Sequence, residues 1–389
     1  MATAILVPGK EKRVYSGHPW IFRSDIEKVK GEFTPGDVVT VQAKNGRFLA
    51  KAIYNPASQI ALRILSHKDV EIDAEFIKAK VKRAIDYRRT FADLHSCRLI
   101  FAESDGLPAV IADSFGDVIS LQCLALGMEQ FKDAICDALE EELHPRGIYE
   151  RGDVPVRELE GLPLVCQTLR GEVPDRVLLI ENGVKFHVDV KNGQKTGFFL
   201  DQKYNRAAVA RLAKGHTVLD CFTHTGSFAL NAALGGARHV TAVDISADAI
   251  EMAKRNAERN GLTDRMDFIA TDVFDLLPSL AEKKHDYDFV ILDPPAFTKN
   301  RKTVKDAIRG YKEINYRAMK LLPRGGFLAT CSCSHFMEPD AFVDMLQSAA
   351  RDAGVQLKLI EARRQSPDHP VVLGIGETDY LKFYLFQVI

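Results

Sequence analysis

Two cysteines one residue apart, Cys331 and Cys333, close the run Leu322-Pro323-Arg324-Gly325-Gly326-Phe327-Leu328-Ala329-Thr330-Cys331-Ser332-Cys333-Ser334. An apolar strand leaving a Gly-Gly turn would end on these thiols, and a thiolate there can attack an electrophilic carbon and form a covalent intermediate. If the strand persists through Cys333, the two side chains share a face at different depths. A buried inert thiol is the usual fate of a cysteine. A second run, Tyr287-Asp288-Phe289-Val290-Ile291-Leu292-Asp293-Pro294-Pro295-Ala296-Phe297, brings Asp293 to the carboxyl end of a buried strand, where open α/β sheets bind ligands. Pro294 and Pro295 impose a stiff, extended exit without backbone donors. Such a loop can hold a planar base against a wall while the carboxylate reads its edge.

A third run, Thr217-Val218-Leu219-Asp220-Cys221-Phe222-Thr223-His224-Thr225-Gly226-Ser227-Phe228-Ala229-Leu230, reads as a buried strand, a tight turn and a helix start. Gly226 lets a ligand approach the backbone, and the helix's free N–H groups face it. The next strand, His239-Val240-Thr241-Ala242-Val243, ends in Asp244, placed to accept hydrogen bonds from ribose hydroxyls. The dinucleotide pattern G-x-G-x-x-G is absent, so a pyrophosphate lacks the backbone clearance it needs. Asp220 would also repel phosphate and favour a cationic ligand. S-adenosylmethionine, with its sulfonium and α-amino group, fits both facts; an α/β crossover without a ligand is the plainer alternative.

These motifs need a parallel sheet behind them, and strand–helix alternation after residue 190 supplies that pattern. Just before it, Val177–Ile180 and Val184–Val190 flank Asn182-Gly183, a strong hairpin cue. The first ~80 residues predict short strands with turns at Gly36-Asp37 and Asn45-Gly46, the pattern of a small barrel. Arg13, Arg23, Lys28, Lys30, Lys44, Arg47, Lys51 and Arg63 are interleaved there with Tyr15, Trp20, Phe22 and Phe48. They read either as an RNA-gripping face or as a core with a solvated basic shell. The periodicity predicts a helix from roughly Asp73 to Phe91, strands at 109–113 and 118–122, and a helix over 128–142. The expected domains are 1–78, a middle α/β domain at 79–178, and 179–389.

Length and composition set the bounds. The 389 residues allow two or three domains, and 46% hydrophobic with 27% charged residues is ordinary globular usage. The net charge of −1 hides an asymmetry, since residues 1–90 carry about +7 and the remainder about −8. Seven cysteines with no CxxC pair argue against a zinc site or a disulfide framework. No apolar run is long enough for a signal peptide or a membrane span. The expectation is a reduced, cytoplasmic protein with no metal and no membrane.

Val218–Leu230, Asp244, Asp272, Asp293-Pro294-Pro295 and Thr330–Ser334 together resemble class I S-adenosylmethionine-dependent methyltransferases. With Lys195-Thr196-Gly197-Phe198-Phe199-Leu200-Asp201-Gln202 and the N-terminal segment, including Gly36-Asp37-Val38-Val39, the chain resembles the bacterial RlmI-like family. That family methylates large-subunit ribosomal RNA to 5-methylcytosine. The resemblance implies a β-barrel PUA domain that binds RNA, a small α/β middle domain and a Rossmann-like domain with a seven-stranded, mostly parallel sheet. It favours the RNA-gripping reading of the basic front.

Carried onto this chain, the resemblance implies that Asp220 and Gly226 line the methionine part of the cofactor. Asp244 would hold the ribose, and Asp272 with Val273 would meet the adenine. Phe222, Thr225, Ile245, Asp293 and Pro294 join the cofactor set, and Thr196, Phe198 and Gln202 lie in the segment folded over it. In related carbon-5 enzymes the nucleophile lies seven positions after the last glycine of the turn, which gives Cys333, with Cys331 as the alternative. Asp293 would stabilise the adduct at N3, and Glu377 is the candidate proton acceptor. Lys299, Arg301, Lys302, Lys305, Arg309 and Lys312 are expected to meet phosphates. The partner would be 23S ribosomal RNA, and a homodimer is compatible. The rival readings are methylation of another RNA, of uracil carbon 5 or of an exocyclic amine, and a non-catalytic RNA-binding assembly factor.

Overall fold

The computed structural model describes residues 2–283, 287–298 and 300–389, so Lys299 lies outside the described residues. The chain divides into two compact units. The first comprises residues 1–179, 188–200 and 367–378; the second comprises 180–187, 201–366 and 379–389. Two short segments far along the chain therefore count with the first unit.

In the first unit, strands Trp20–Ile21, Leu62–Ser66, Phe48–Tyr54, Val38–Gln42, Thr3–Leu6 and Ile26–Lys30 pair in that order into one mostly antiparallel sheet. Ala4, Leu6, Ile21, Val39, Val41, Ala50, Leu62 and Ile64 share a single core, as inward-facing positions of a small barrel do. Helix Ala74–Arg89 follows, capped by Asp73, whose side chain accepts from the Phe76 amide at 2.8 Å. Its buried stripe of Ile77, Val81, Ala84 and Ile85 packs on a five-stranded sheet between Ser96 and Gly171. The helix expected over 128–142 is broken instead. Leu126–Glu129 and Lys132–Leu143 are separate, because Gln130 and Phe131 turn the chain between them.

The second unit is built on a seven-stranded sheet with strands β1 (Thr217–Cys221), β2 (His239–Asp244), β3 (Met266–Ala270), β4 (Phe289–Leu292), β5 (Phe327–Ser332), β6 (Leu357–Arg363) and β7 (Lys382–Val388). The order is β3-β2-β1-β4-β5-β7-β6; the first five are parallel, and β7 runs antiparallel to both neighbours. Helices α1 (Lys203–Leu212), α2 (Ser227–Leu234), α3 (Ala247–Asn260), α4 (Val273–Lys283), α5 (Val304–Leu321) and α6 (Pro339–Ala353) alternate with the strands. Central strands covered on both faces need continuous apolar runs, and β4 is buried at every position. Leu219, Val290, Leu292, Tyr311, Ile314, Leu328, Phe342 and Leu346 belong to one core; each large apolar side chain there contributes about 1.5–3 kcal/mol. The order reverses between β1 and β4, so a crevice opens at their carboxyl ends. The predicted hairpin forms as Val177–Glu181 with Val184–Val188, and both Asn182 and Gly183 have positive φ.

Candidate functional site

The switch point is lined by the runs singled out from the sequence. Asp220, on β1, is fully buried. Its Oδ2 accepts from Thr223 Oγ1 at 2.5 Å and from the Ala229 amide of α2 at 2.9 Å. Asp220 Oδ1 and Thr225 Oγ1 are buried with no hydrogen-bond partner among the described residues. A buried acceptor left open is costly unless a ligand satisfies it. Burial pushes the Asp220 carboxyl up to about 7, and the charges of Asp293 and Asp244 add to this. Three residues of the turn, Phe222, His224 and Gly226, are left-handed. For the two that are not glycine this stores about 1–2 kcal/mol each.

Asp244 ends β2 and fixes that turn. Its Oδ2 accepts from the His224 amide and its Oδ1 from the Ser246 amide, both at 2.9 Å. Each oxygen keeps a lone pair for a hydroxyl donor. Ile245 beside it is 71% exposed, an unpartnered apolar surface at the rim of the crevice. Asp272 accepts from the Phe274 amide at 2.8 Å, and Val273 is buried. These residues fit a cofactor with ribose hydroxyls, an apolar ring and positive charge at the Asp220 end.

At the end of β4 the Asp293 amide meets the Cys221 carbonyl at 3.4 Å, tying the two strand ends together. Gln202 Nε2 donates to Asp293 Oδ1 at 2.9 Å, and Asn205 Nδ2 donates to Gln202 Oε1 at 2.6 Å. Burial and the nearby Asp201 charge push the Asp293 carboxyl up to about 6, against the opposing pull of Arg206 and Gln202. Asp201 is itself held by the Tyr380 hydroxyl at 2.7 Å.

The two thiols part company here. Strand β5 ends at Ser332, so Cys333 lies beyond it and the condition for a shared face is not met. Cys331 is fully buried, and burial with the Asp293 charge raises its thiol well above the ordinary value. Cys333 is partly exposed, with Sγ 3.8 Å from the Pro294 carbonyl oxygen. Reactive cysteines are accessible, whereas buried ones in apolar or anionic surroundings stay protonated. Ser332 Oγ donates to the Tyr311 hydroxyl at 3.0 Å, and Ser334 Oγ donates to the Thr298 carbonyl at 2.8 Å. These bonds pin the segment on both sides of Cys333.

Three residues of the expected set belong to the first unit. Thr196 donates to Asp113 Oδ2 at 2.6 Å, and Phe198 is buried. Glu377 meets His18 at 3.2 Å and Arg13 at 3.9 Å. Against the upward push of burial, a backbone hydrogen bond and the His18 and Arg13 charges hold Glu377 below the ordinary glutamate range. Of the basic residues at the front, Lys51 and Arg63 are buried, Lys51 on Asp69 and Arg63 between Glu103 and Glu160. Arg23, Lys28, Lys30, Lys44 and Arg47 are exposed, with Arg47 over the exposed Tyr15 ring at 4.7 Å. Near α5, Arg301, Lys302 and Lys305 are exposed, Arg309 pairs with Asp306, and Lys312 pairs with Asp352.

The sequence reading passed over Lys382. It opens β7 opposite Ser332, is 5% exposed, and its Nζ donates to the Ser334 carbonyl at 2.6 Å and the Tyr380 carbonyl at 2.8 Å. The available signal was a charge inside the apolar run Leu381-Lys382-Phe383-Tyr384-Leu385-Phe386. Among the described residues no His/Cys/Asp/Glu cluster could hold a metal, and no helix is long and apolar enough to cross a membrane.

Comparison with known proteins agrees with this geometry. Residues 161–386 match the model of the S-adenosylmethionine-dependent methyltransferase family, and residues 4–67 match a PUA-like domain. A protein of Pseudoalteromonas translucida named ribosomal RNA large subunit methyltransferase I is 43% identical, over 100% of both chains. A solved structure from Streptococcus mutans shares the fold, superposing with a TM-score of 0.83 at 22% identity, over 100% of both chains. A methyltransferase complexed with SAH gives 0.85 at 23% identity, also over 100% of both chains. The chain belongs to the S-adenosylmethionine-dependent methyltransferases and, within them, to the ribosomal RNA large subunit methyltransferase I family.

Proposed function

We propose that this chain methylates carbon 5 of a cytosine in 23S ribosomal RNA, with Cys333 as the attacking thiol. The observation that carries the reading is the contrast at the end of β5. Cys333 is partly exposed beside the Asp293-Pro294 loop, while Cys331 is buried against the Asp293 carboxylate. The large-subunit RNA named for the relatives supports the substrate, and the PUA-like domain with its exposed bases supports an RNA grip. The target base must leave its stack to reach the crevice. The setting would be the cytoplasm, where ribosomal RNA is processed.

Carbon 5 of cytosine is a poor nucleophile. Cys333 Sγ would bond to carbon 6, and the ring electrons then gather at carbon 5 as an enamine. Asp293, half-protonated near pH 6, can donate a hydrogen bond to N3 as negative charge develops there. The bound sulfonium supplies the methyl group. Removal of the carbon-5 proton restores the double bond and expels the Cys333 thiolate. Asp220, Thr225, Gly226, Asp244, Ile245, Asp272 and Val273 would hold the cofactor, with Asp220 Oδ1 facing its positive end. Glu377, the proton acceptor suggested by the sequence, is engaged by His18 and Arg13.

The test is nucleoside mapping of 23S ribosomal RNA by mass spectrometry, from a strain lacking the gene and complemented with wild type, Cys331→Ala or Cys333→Ala. One 5-methylcytosine should disappear in the deletion and return with wild type and Cys331→Ala only. An unchanged profile in the deletion would overturn the substrate assignment.

A further inference from the structure

Lys382 is a buried cation that forms no ion pair of its own among the described residues. It spans the gap between the start of β7 and the segment that follows β5. One hydrogen bond reaches the carbonyl of Ser334, the residue directly after Cys333, and the other reaches the Tyr380 carbonyl. Two acceptors leave one N–H of the ammonium over. Burying an ammonium on neutral carbonyls is expensive unless its charge is used, since the usual solution is a carboxylate partner. A hydrophobic residue or glutamine could close the same gap at lower cost.

Cys333, Asp379 and Glu338 lie within Coulombic reach of this charge, and of these the Cys333 thiol is the group that the proposed reaction uses. We propose that Lys382 is a positioning residue for Cys333, anchoring Ser334 beside the thiol and supplying the positive charge against which the thiol ionises. The inference rests on the reading of Cys333 as the attacking group.

The other titratable groups around the pair do not do this work. Tyr311, from α5, has its phenol pushed far up by burial and stays neutral. Cys331, from β5, stays protonated for the reasons given above. Asp379 and Glu338 act on Lys382 in the sense that keeps it charged, and Asp379 is also paired with Arg364 at 2.9 Å. Burial lowers the Lys382 ammonium to about 8, so it remains mostly protonated at neutral pH. Lys382 also lines a cavity of about 300 Å³ with Arg363, Arg364, Asp379 and Tyr384. A nearby cation raises the thiolate fraction of a cysteine by lowering its pKa.

The experiment measures the rate of iodoacetamide labelling at Cys333 against pH, by peptide mass spectrometry, in the full chain without RNA. Lys382→Gln keeps amide donors for the two carbonyls but removes the charge; Lys382→Arg keeps the charge. The expected result is a labelling midpoint moved up by about one pH unit in Lys382→Gln, roughly a tenfold slower rate at neutral pH, and little movement in Lys382→Arg. S-adenosylmethionine binding should stay intact in both, which shows that the variants fold. Unmoved profiles in both variants, or equal shifts in both, would overturn the proposal. Because labelling needs no substrate, it is separable from the nucleophile reading: an RNA adduct found on Cys331 would defeat that reading whatever the labelling shows.

Discussion

Buried and half-buried carboxylates are treated in opposite ways in two regions of this molecule. In the first unit they are met by cations: Glu160 by Arg63 at 3.2 Å, Asp113 by Arg98 at 2.7 Å, Glu150 by Lys132 at 2.6 Å and Asp105 by Arg88 at 2.8 Å. The second unit does the same at Glu181, paired with Arg206 at 2.7 Å. At the crevice between β1 and β4, Asp220 and Asp293 have no ion pair among the described residues, and their pKa values rise accordingly. Desolvating an unpaired carboxylate favours its neutral form. Charges that hold the fold are neutralised by the fold; on the proposed reading, the charges at the crevice are kept for a cationic ligand, in line with the clustering of perturbed groups at functional sites.

Several substitutions can break or sharpen that contrast. The largest effect on function is expected from Asp220→Asn, which should weaken S-adenosylmethionine binding about 10- to 100-fold by calorimetry, with little loss of stability. Glu160→Ala should do the reverse. It leaves the buried Arg63 with Glu103 alone and takes the acceptor from Asn55 and Ser58, so it should cost roughly 3–5 kcal/mol in denaturant unfolding, while cofactor affinity in the folded protein stays unchanged. Equal behaviour of the two variants would dissolve the distinction.

A pH titration separates the regions further. Both crevice carboxyls have folded pKa values raised above their unfolded ones. Their contribution to stability is therefore fully present below the unfolded carboxylate range and lost as pH rises through about 6 and about 7. Cofactor affinity should run the opposite way, rising over the same window as the carboxylates ionise toward a cationic ligand. Thermal unfolding with and without S-adenosylmethionine, across that window, checks both signs. Smaller effects close the series. Cys331→Ala should cost roughly 1–2 kcal/mol of stability by leaving a small buried void, with methylation retained. Glu377→Gln should cost less than about 1 kcal/mol, as partly exposed ion pairs do. A hundredfold or greater loss of turnover in Glu377→Gln would instead place it in the chemistry.

Much of the second unit was legible because its signals are local. A continuous apolar run ending in Asp, a glycine turn and a helix start reads as a parallel strand feeding a crossover, and Asn182-Gly183 is a strong hairpin cue. Asp220, Asp244 and Asp293 were found this way, each at the carboxyl end of its strand or just after it, whereas Asp272 came only through the family resemblance. What the sequence hid depends on pairing across the fold. Lys382 passes unnoticed until the register sets it opposite Ser332. The family resemblance favoured Cys333 over Cys331, but the physical difference between them emerges only where β5 stops at Ser332 and leaves one buried and one accessible. Gln202 was read as a cofactor contact from its segment, yet here its amide is engaged by Asp293, a partner 91 residues away.

The central claim is that Cys333 attacks the base, and trapping tests it most directly. The full-length protein would be incubated with S-adenosylmethionine and 23S ribosomal RNA fragments carrying 5-fluorocytidine, whose fluorine cannot leave as a proton does. Fragment ions from the digested complex then locate the attachment. The account predicts a covalent adduct on Cys333, retained in Cys331→Ala and absent in Cys333→Ala. An adduct on Cys331, or methyl transfer with no adduct at all, would contradict it.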